Sequence, residues 1–387
     1  MTLHSRLLEV LKALDARVGV PAARALGGPR RALPHAPRDV LFIRLWGLGN
    51  LALLSPLFAA AGPRRLRLLT LGRNRAFVAG QFPGLELLPL HEPQDPRAPL
   101  ALLAALARLR DEPPDVVVDC EQFLRLPALL VRRACPAPIV GLDTPGQGRL
   151  PLLDRAVEHD ALRHAGATFD ALGRAAGLPP ADRAWRLSVP AERRERLRLL
   201  LPPGDAPLVV LHPGSGDHFP GRRWPAARYA ELAAALATER GARLVVTGVG
   251  AERALAAEVA RGCGAWNACG RLGTGELLAL LAEADLLVSN DTGPVHLADL
   301  LDTPTVALFG PNTPWRYGPR RAGSVALFAD LPCSPCLDDR SMKHSACRSY
   351  ACMQALGVAD VLQACLSLLD ARPRTTLPAS PQHVATR

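Results

Sequence analysis

The chain has 387 residues, more than one hydrophobic core of ordinary size holds, so two domains are expected. Hydrophobic residues make up 49% and charged residues 21%, the balance of a globular protein, and charge breaks every apolar run before it can span a bilayer. The 46 Lys and Arg against 36 Asp and Glu leave +10, a charge that suits phosphate or an anionic surface and follows equally from a GC-rich coding sequence; with 4% aromatic residues and no basic–aromatic cluster, nucleic acid is not an expected partner.

Leu3, Leu7, Leu11, Leu14 and Val18 recur at helical spacing, with Arg6, Glu9, Lys12, Asp15 and Arg17 off that stripe. One amphipathic helix is predicted, its apolar stripe either docked on the body of the protein or laid on an anionic membrane surface. No compact apolar stretch followed by small residues marks a secretory signal, so a cytoplasmic location is expected. Gly27, Gly28, Pro29 and Pro34 end the periodicity, which makes residues 1–37 a helix and linker and places the first domain at 38–200.

Short apolar runs then alternate with helical patterns: VLFIRL at 40–45, RLRLLTL at 65–71, VVVD at 116–119 and APIVGL at 137–142. A proline-rich stretch at 201–207 reads as a domain joint, and the rhythm restarts in PLVVLH (207–212), RLVVTG (243–248), DLLVSN (285–290) and TVALFG (305–310). Continuous apolar runs of this kind are buried parallel strands, whose carboxyl ends hold ligands in open α/β sheets. The second domain is thus 201–370, and the polar, proline-bearing tail 371–387 is expected to be disordered.

Three strand-to-helix turns carry candidate chemistry. In RLWGLGNLALLSPLF (44–58), Gly47 and Gly49 allow backbone to approach a ligand, although the third glycine of a dinucleotide fingerprint is missing and a tight turn also needs glycine. In LHPGSGDHFPGRRW (211–224), a Gly-Ser-Gly turn with Ser215 and the forks of Arg222 and Arg223 suits a diphosphate. In SNDTGPVHLADLL (289–301), Pro294 sits at a first helical position, so the Thr292 and Gly293 amides and His296 are placed to meet an anion in front of the helix.

The strings IRLWGLGNLALLSP, LHPGSGDHFPGRRWPAARYAELA, VVTGVGAERALA, CGRLGTGELLALLAEADLLVSNDTGPVHLADLLDTPTVALFGP and CSPC, spread over roughly residues 38–365, resemble glycosyltransferase family 9, the ADP-heptose:lipopolysaccharide heptosyltransferases. The resemblance implies an α/β protein of GT-B architecture: two Rossmann-like domains facing across a cleft, the donor held by the second and the acceptor by the first. It implies that Thr292, Gly293 and His296 hold the diphosphate or sugar, that Asp291 contacts sugar hydroxyls, that Glu252 holds the nucleoside with Gly270 to Leu272 beside it, and that Arg222 or Arg223 contacts phosphate. In the family pattern the first glycine turn continues Gly-Asp, the aspartate serving as base; here Asn50 stands there, and an amide cannot take a proton at neutral pH. Glu121, then Asp119, in VVVDCEQFLR are the substitute bases expected from their place after another first-domain strand, where a carboxylate at a helix start is also an ordinary structural feature.

The expected function is inverting transfer of a sugar, heptose from ADP-heptose, to a lipopolysaccharide core or other lipid-linked glycan, with peripheral contact at the inner membrane. A nucleotide-sugar binder without catalysis is the alternative raised by Asn50, and a sugar-nucleotide epimerase or dehydrogenase would need the missing fingerprint. No Asp-x-Asp follows a strand, so neither a catalytic metal nor another cofactor is expected; Cys333, Cys336, Cys347 and Cys352 are a candidate zinc cluster, with free thiols or a redox-sensitive disulfide as the other readings.

Overall fold

A computed structural model describes residues 3–216, 220–337 and 345–371. Among the described residues twelve strands form two parallel sheets: β1 (Asp39–Ile43), β2 (Arg65–Leu71), β3 (Glu86–Leu90), β4 (Val116–Asp119), β5 (Ile139–Asp143) and β6 (Arg155–Glu158) in the first, then β7 (Leu208–His212), β8 (Arg243–Val246), β9 (Trp266–Asn267), β10 (Leu286–Asn290), β11 (Thr305–Phe309) and β12 (Ser324–Phe328) in the second. The orders β3-β2-β1-β4-β5-β6 and β9-β8-β7-β10-β11-β12 are the same doubly wound topology used twice. Each sheet reverses its winding between its first and fourth strands, so the crevices open at the carboxyl ends of β1 and β4 and of β7 and β10. The predicted tail lies, beyond Ala371, outside the described residues.

All eight predicted strands are present, and the four that the sequence reading lacked are the four sheet edges. The inner strands β4, β7, β10 and β11 are buried at every position, hence their unbroken apolar runs. Edge strands have no such requirement: β6 reads Arg-Ala-Val-Glu, β3 contains Pro89, β9 spans two residues and β12 is half-buried throughout.

The domains share a hydrophobic interface. Leu51, Leu54 and Leu57 of the helix Leu48–Ala60 belong to one buried cluster with Leu297, Ala298 and Leu300 of the helix Gly293–Leu300. The helix Ala191–Arg198 packs beside the helix Thr274–Glu283 through Arg193–Glu276 (3.0 Å) and the Arg198–Glu283 pair (2.7 Å), so the chain meets the second domain before the proline-rich segment.

The amino-terminal helix runs from Leu3 to Leu26, and its docking differs from either simple version of the predicted amphipathic contact. Its buried described positions are Asp15, Gly19 and Ala23, whereas Leu14 and Val18 are 52% and 59% exposed. Asp15 accepts from the Arg125 (3.0 Å) and Leu126 (2.8 Å) amides and pairs with the Arg125 guanidinium at 2.8 Å. A Cβ on Gly19 would come within 2.7 Å of Arg125 Cδ, so only glycine lets the helix settle there. The underlying surface presents a buried guanidinium that must be paired, and that demand selects the face on which Asp15 lies. Asp15→Ala leaves Arg125 buried without its carboxylate and is expected to destabilise the protein by about 3–5 kcal/mol, measured by chemical denaturation.

Candidate functional site

The second-domain crevice is built around Asn290, the last residue of β10 and wholly buried. Its Nδ2 donates to the carbonyls of Pro213 (2.8 Å) and Gly214 (3.2 Å), while its Oδ1 accepts from the Trp224 amide (3.0 Å) and the Tyr229 hydroxyl (3.3 Å). One amide thus fastens the turns after β7 and β10 together, using donors and acceptor as only Asn or Gln allows. In the sequence, Asn290 is marked only by its place directly between strand and turn, which assigns it no role until its partners are known.

Arg222 and Arg223 enter the same network. Arg222 donates to the carbonyls of Asp291 (2.6 Å) and Ser215 (3.1 Å) and lies 3.4 Å from the Asp291 carboxylate, which also accepts from Asn312 at 2.6 Å. Arg223 donates to the Ser215 hydroxyl (3.2 Å) and the Gly216 carbonyl (3.1 Å). The two arginines therefore span both candidate turns; residues 217–219 of that motif lie outside the described residues.

Glu252 is also buried, and its carboxylate accepts from the amides of Ser215 and Gly216 (both 2.9 Å) and Val249 (3.0 Å). Burial opposes its ionisation, but the Val249 amide, His212 and the two loop amides outweigh that penalty and hold the carboxyl below its ordinary range. In this arrangement Glu252 shapes the Gly-Ser-Gly turn. Gly270, at φ +70°, packs so closely on Gly250 that a Cβ would meet backbone at 2.9 Å, which fixes the loop beside Glu252.

The helix Gly293–Leu300 starts at Thr292 with no side-chain cap, Pro294 inside its first turn, and His296 buried behind it. It meets the first glycine turn directly: a Cβ on Gly49 would stand 2.9 Å from Gly293 Cα and 2.8 Å from His296 Cδ2. Gly47, at φ +84°, makes the turn into the helix Leu48–Ala60, and Asn50 lies in its first residues. The structure thus brings Gly47, Gly49 and Asn50 together with Thr292, Gly293 and His296, two helix amino ends from different domains.

Glu121 and Asp119 lie at the carboxyl end of β4, beside the residues that follow β1. Glu121 is 2% exposed; one oxygen accepts from the Leu45 amide at 2.7 Å and the other lies 3.4 Å from Arg44, whose guanidinium also donates to the Cys120 carbonyl at 2.8 Å. Asp119 is fully buried, ion-paired with Arg149, and accepts from the Glu121 amide at 3.0 Å. Burial pushes Asp119 up to about 6 against the pull of Arg149, which leaves it largely ionised at neutral pH. Glu121 holds the turn after β1, and Asp119 ties the turn after β4 to Arg149.

The cysteines lie along the segment after β12: Cys333 is exposed, Cys336 and Cys347 half-buried, and Cys352 buried. Among the described residues no three His, Cys, Asp or Glu side chains are placed to share a metal ion. Tyr350 of this segment packs against Gly221, just before Arg222, and the Cys336 amide donates to the Pro311 carbonyl at 2.9 Å, so the segment buttresses the turns that follow β7 and β11.

Two doubly wound domains meeting at the carboxyl ends of their sheets, over a basic turn and an uncapped helix, define the GT-B class of glycosyltransferase fold. The glycosyltransferase family 9 (heptosyltransferase) profile matches residues 103–346, more than half of the chain, and the chain belongs to that family. It is 31% identical over 243 residues to lipopolysaccharide heptosyltransferase 1 of Pseudomonas aeruginosa, a match that covers 59% of this chain and 64% of that protein. In fold it is similar to the Veillonella parvula family 9 glycosyltransferase (TM-score 0.68, 21% identity, 87% of this chain and 99% of the other). It is also similar to the Escherichia coli ADP-heptose lipopolysaccharide heptosyltransferase II (TM-score 0.65, 20% identity, 86% and 98%).

Gly49→Ala is expected to lower donor affinity and melting temperature together, because the new methyl meets Gly293 backbone that cannot turn aside; calorimetric titration and a thermal melt read both. A second expectation concerns acid. His164 caps the helix Ala165–Ala175 by accepting from the Gly166 amide at 3.1 Å through Nδ1, and its Nε2 bonds the Gly318 carbonyl of the other domain at 3.1 Å. Burial, with His296 nearby, lowers His164 to about 4, so the neutral ring is the folded form. Its contribution is present above pH 6.5 and is lost as pH falls from 6.5 towards 4, on the order of 3 kcal/mol. His164→Asn, which keeps a capping oxygen, should remove that share of the pH dependence in denaturation measured across this range.

Proposed function

We propose that this chain is an inverting transferase that moves heptose from ADP-heptose to a hydroxyl of a lipopolysaccharide core or related lipid-linked glycan at the inner face of the cytoplasmic membrane. The observation that carries this reading is the meeting of the two helix amino ends at Gly49 and Gly293 beside Arg222 and His296. Family membership supports the reaction class, and the donor named for the Escherichia coli relative supports the sugar.

The uncapped helix start at Thr292 and Gly293, with Arg222, Arg223 and His296, receives the diphosphate and stabilises the charge that grows on it as the glycosidic bond breaks. Asp291, held by Arg222 and Asn312, faces the sugar hydroxyls, and Glu252 with the Gly270 loop forms the nucleoside end. Attack by the acceptor hydroxyl opposite the diphosphate gives inversion through an oxocarbenium-like state. Asn50 orients that hydroxyl by hydrogen bonding. The attacking oxygen becomes strongly acidic as its new bond forms, and its proton passes to water. The buried pairs of Glu121 and Asp119 support a positioning role for both, in place of the base role their position in the sequence suggested.

Purified protein titrated with a panel of nucleotide sugars, with turnover followed on a truncated core acceptor, tests the reading. ADP-heptose should bind and react, EDTA should leave both unchanged, and Arg222→Ala with Arg223→Ala should weaken binding at least tenfold. Binding without turnover across the panel overturns the transferase reading in favour of a silent binder. Glu121→Gln separates the roles: a positioning residue raises KM and lowers thermal stability, whereas a base lowers kcat alone. Asn50→Asp installs a carboxylate and should raise kcat, within the roughly 10²–10⁴-fold that a positioned base supplies.

A further inference from the structure

At Leu14 and Val18 the amino-terminal helix carries apolar side chains that the body of the protein does not use. Leu14 and Val18 lie one turn apart and stand mostly in solvent, while the helix is held by Asp15, Gly19 and Ala23 on a neighbouring face. In sequence the same stripe continues through Leu11, Leu7 and Leu3, and the helix backbone extends to Leu3. Isolated exposed leucines are ordinary, but a stripe repeated at helical spacing on a docked helix is a surface in want of an apolar neighbour.

Its flanks have one sign. Residues 1–37 contain six Lys and Arg against two acids, and one of those acids, Asp15, is buried against Arg125. Arg17, Arg24 and Arg30 are exposed. On a helical projection Arg17 and Arg24, with Arg6 by sequence, fall on the side of the stripe away from the docked face. Leu126, whose amide bonds Asp15, and Leu150, which follows the Arg149 that pairs with Asp119, add exposed apolar surface on the elements against which the helix packs. An apolar stripe bordered by arginine, fixed parallel to a protein surface by an ion pair, is the arrangement of a helix that lies in the plane of a lipid headgroup layer.

We propose that the helix Leu3–Leu26 docks the first domain on an anionic lipid bilayer, with Leu14 and Val18 entering the headgroup–acyl boundary and the arginines meeting lipid phosphates. Asp15 then serves as the fastening that holds the lipid-facing stripe outward. The docked domain is the acceptor-side domain, so the acceptor crevice is carried at a fixed distance from the lipid surface. This inference rests on the helix and its charges and does not require the donor chemistry.

Vesicle flotation with the full chain tests it. The protein should float with vesicles containing phosphatidylglycerol, not with phosphatidylcholine alone, and added salt should weaken the association. Leu14→Glu with Val18→Glu alters only exposed positions; it should reduce vesicle binding at least tenfold while leaving the melting temperature and turnover on a water-soluble truncated acceptor unchanged. Arg17→Glu with Arg24→Glu should abolish the preference for anionic lipid. Flotation that survives both double variants overturns the proposal, as does a sedimentation experiment in which the exposed stripe holds two copies of the chain together and Leu14→Glu with Val18→Glu merely separates them. An unmodified chain that floats with anionic vesicles but shows no turnover on the soluble acceptor would count against the transferase reading and leave the docking surface standing.

Discussion

The contact between Gly49 and Gly293 sets the architecture of the cleft. With no Cβ on either residue, the amino ends of two helices from different domains approach backbone to backbone, and a methyl on Gly49 would force them apart. Helix amino ends carry partial positive charge, so bringing two together is unfavourable until an anion lies between or beside them. The hydrophobic cluster behind the helices, from Leu51 to Leu297, supplies the attraction that holds this electrostatically costly pair in place. An anion placed there relieves the cost, so the geometry favours a negatively charged group at the junction.

Around that junction, polar and charged side chains hold turns. Asn290, Glu252, Arg222 and Glu121 each bind backbone groups of a loop that follows a strand, and three of them join two loops that are distant in sequence. Such groups are buried polar centres whose hydrogen bonds must all be made, which makes the turns rigid. Rigid donors aimed at a developing charge need little reorganisation during reaction, the condition under which electrostatic catalysis is most effective.

Much of this was legible in the residues. The eight inner strands announced themselves as apolar runs because both of their faces are buried, and the three glycine-bearing turns marked the ends of β1, β7 and β10. The edge strands were silent because half-exposed backbone tolerates Arg155, Glu158 and Pro89 as readily as valine. The partner of a carboxylate was equally silent: nothing in VVVDCEQFLR reveals that Arg149 and Arg44 wait for Asp119 and Glu121, since both pairings close loops across tens of residues. The amino-terminal helix was read from its periodicity, but periodicity does not say which face meets the protein, and a buried arginine decided the matter.

The four edge strands have a consequence for life at high local concentration. A sheet margin offers unpaired backbone groups to any neighbour, and proteins confined to a two-dimensional layer encounter one another far more often than in bulk. Here Pro89 withholds a donor from β3, β6 ends in charges, β9 is two residues long, and Trp315 lies edge-on to Phe328 at 5.6 Å over β12. Each margin is blunted by a different device, so many copies can crowd side by side without their sheets joining into a fibre.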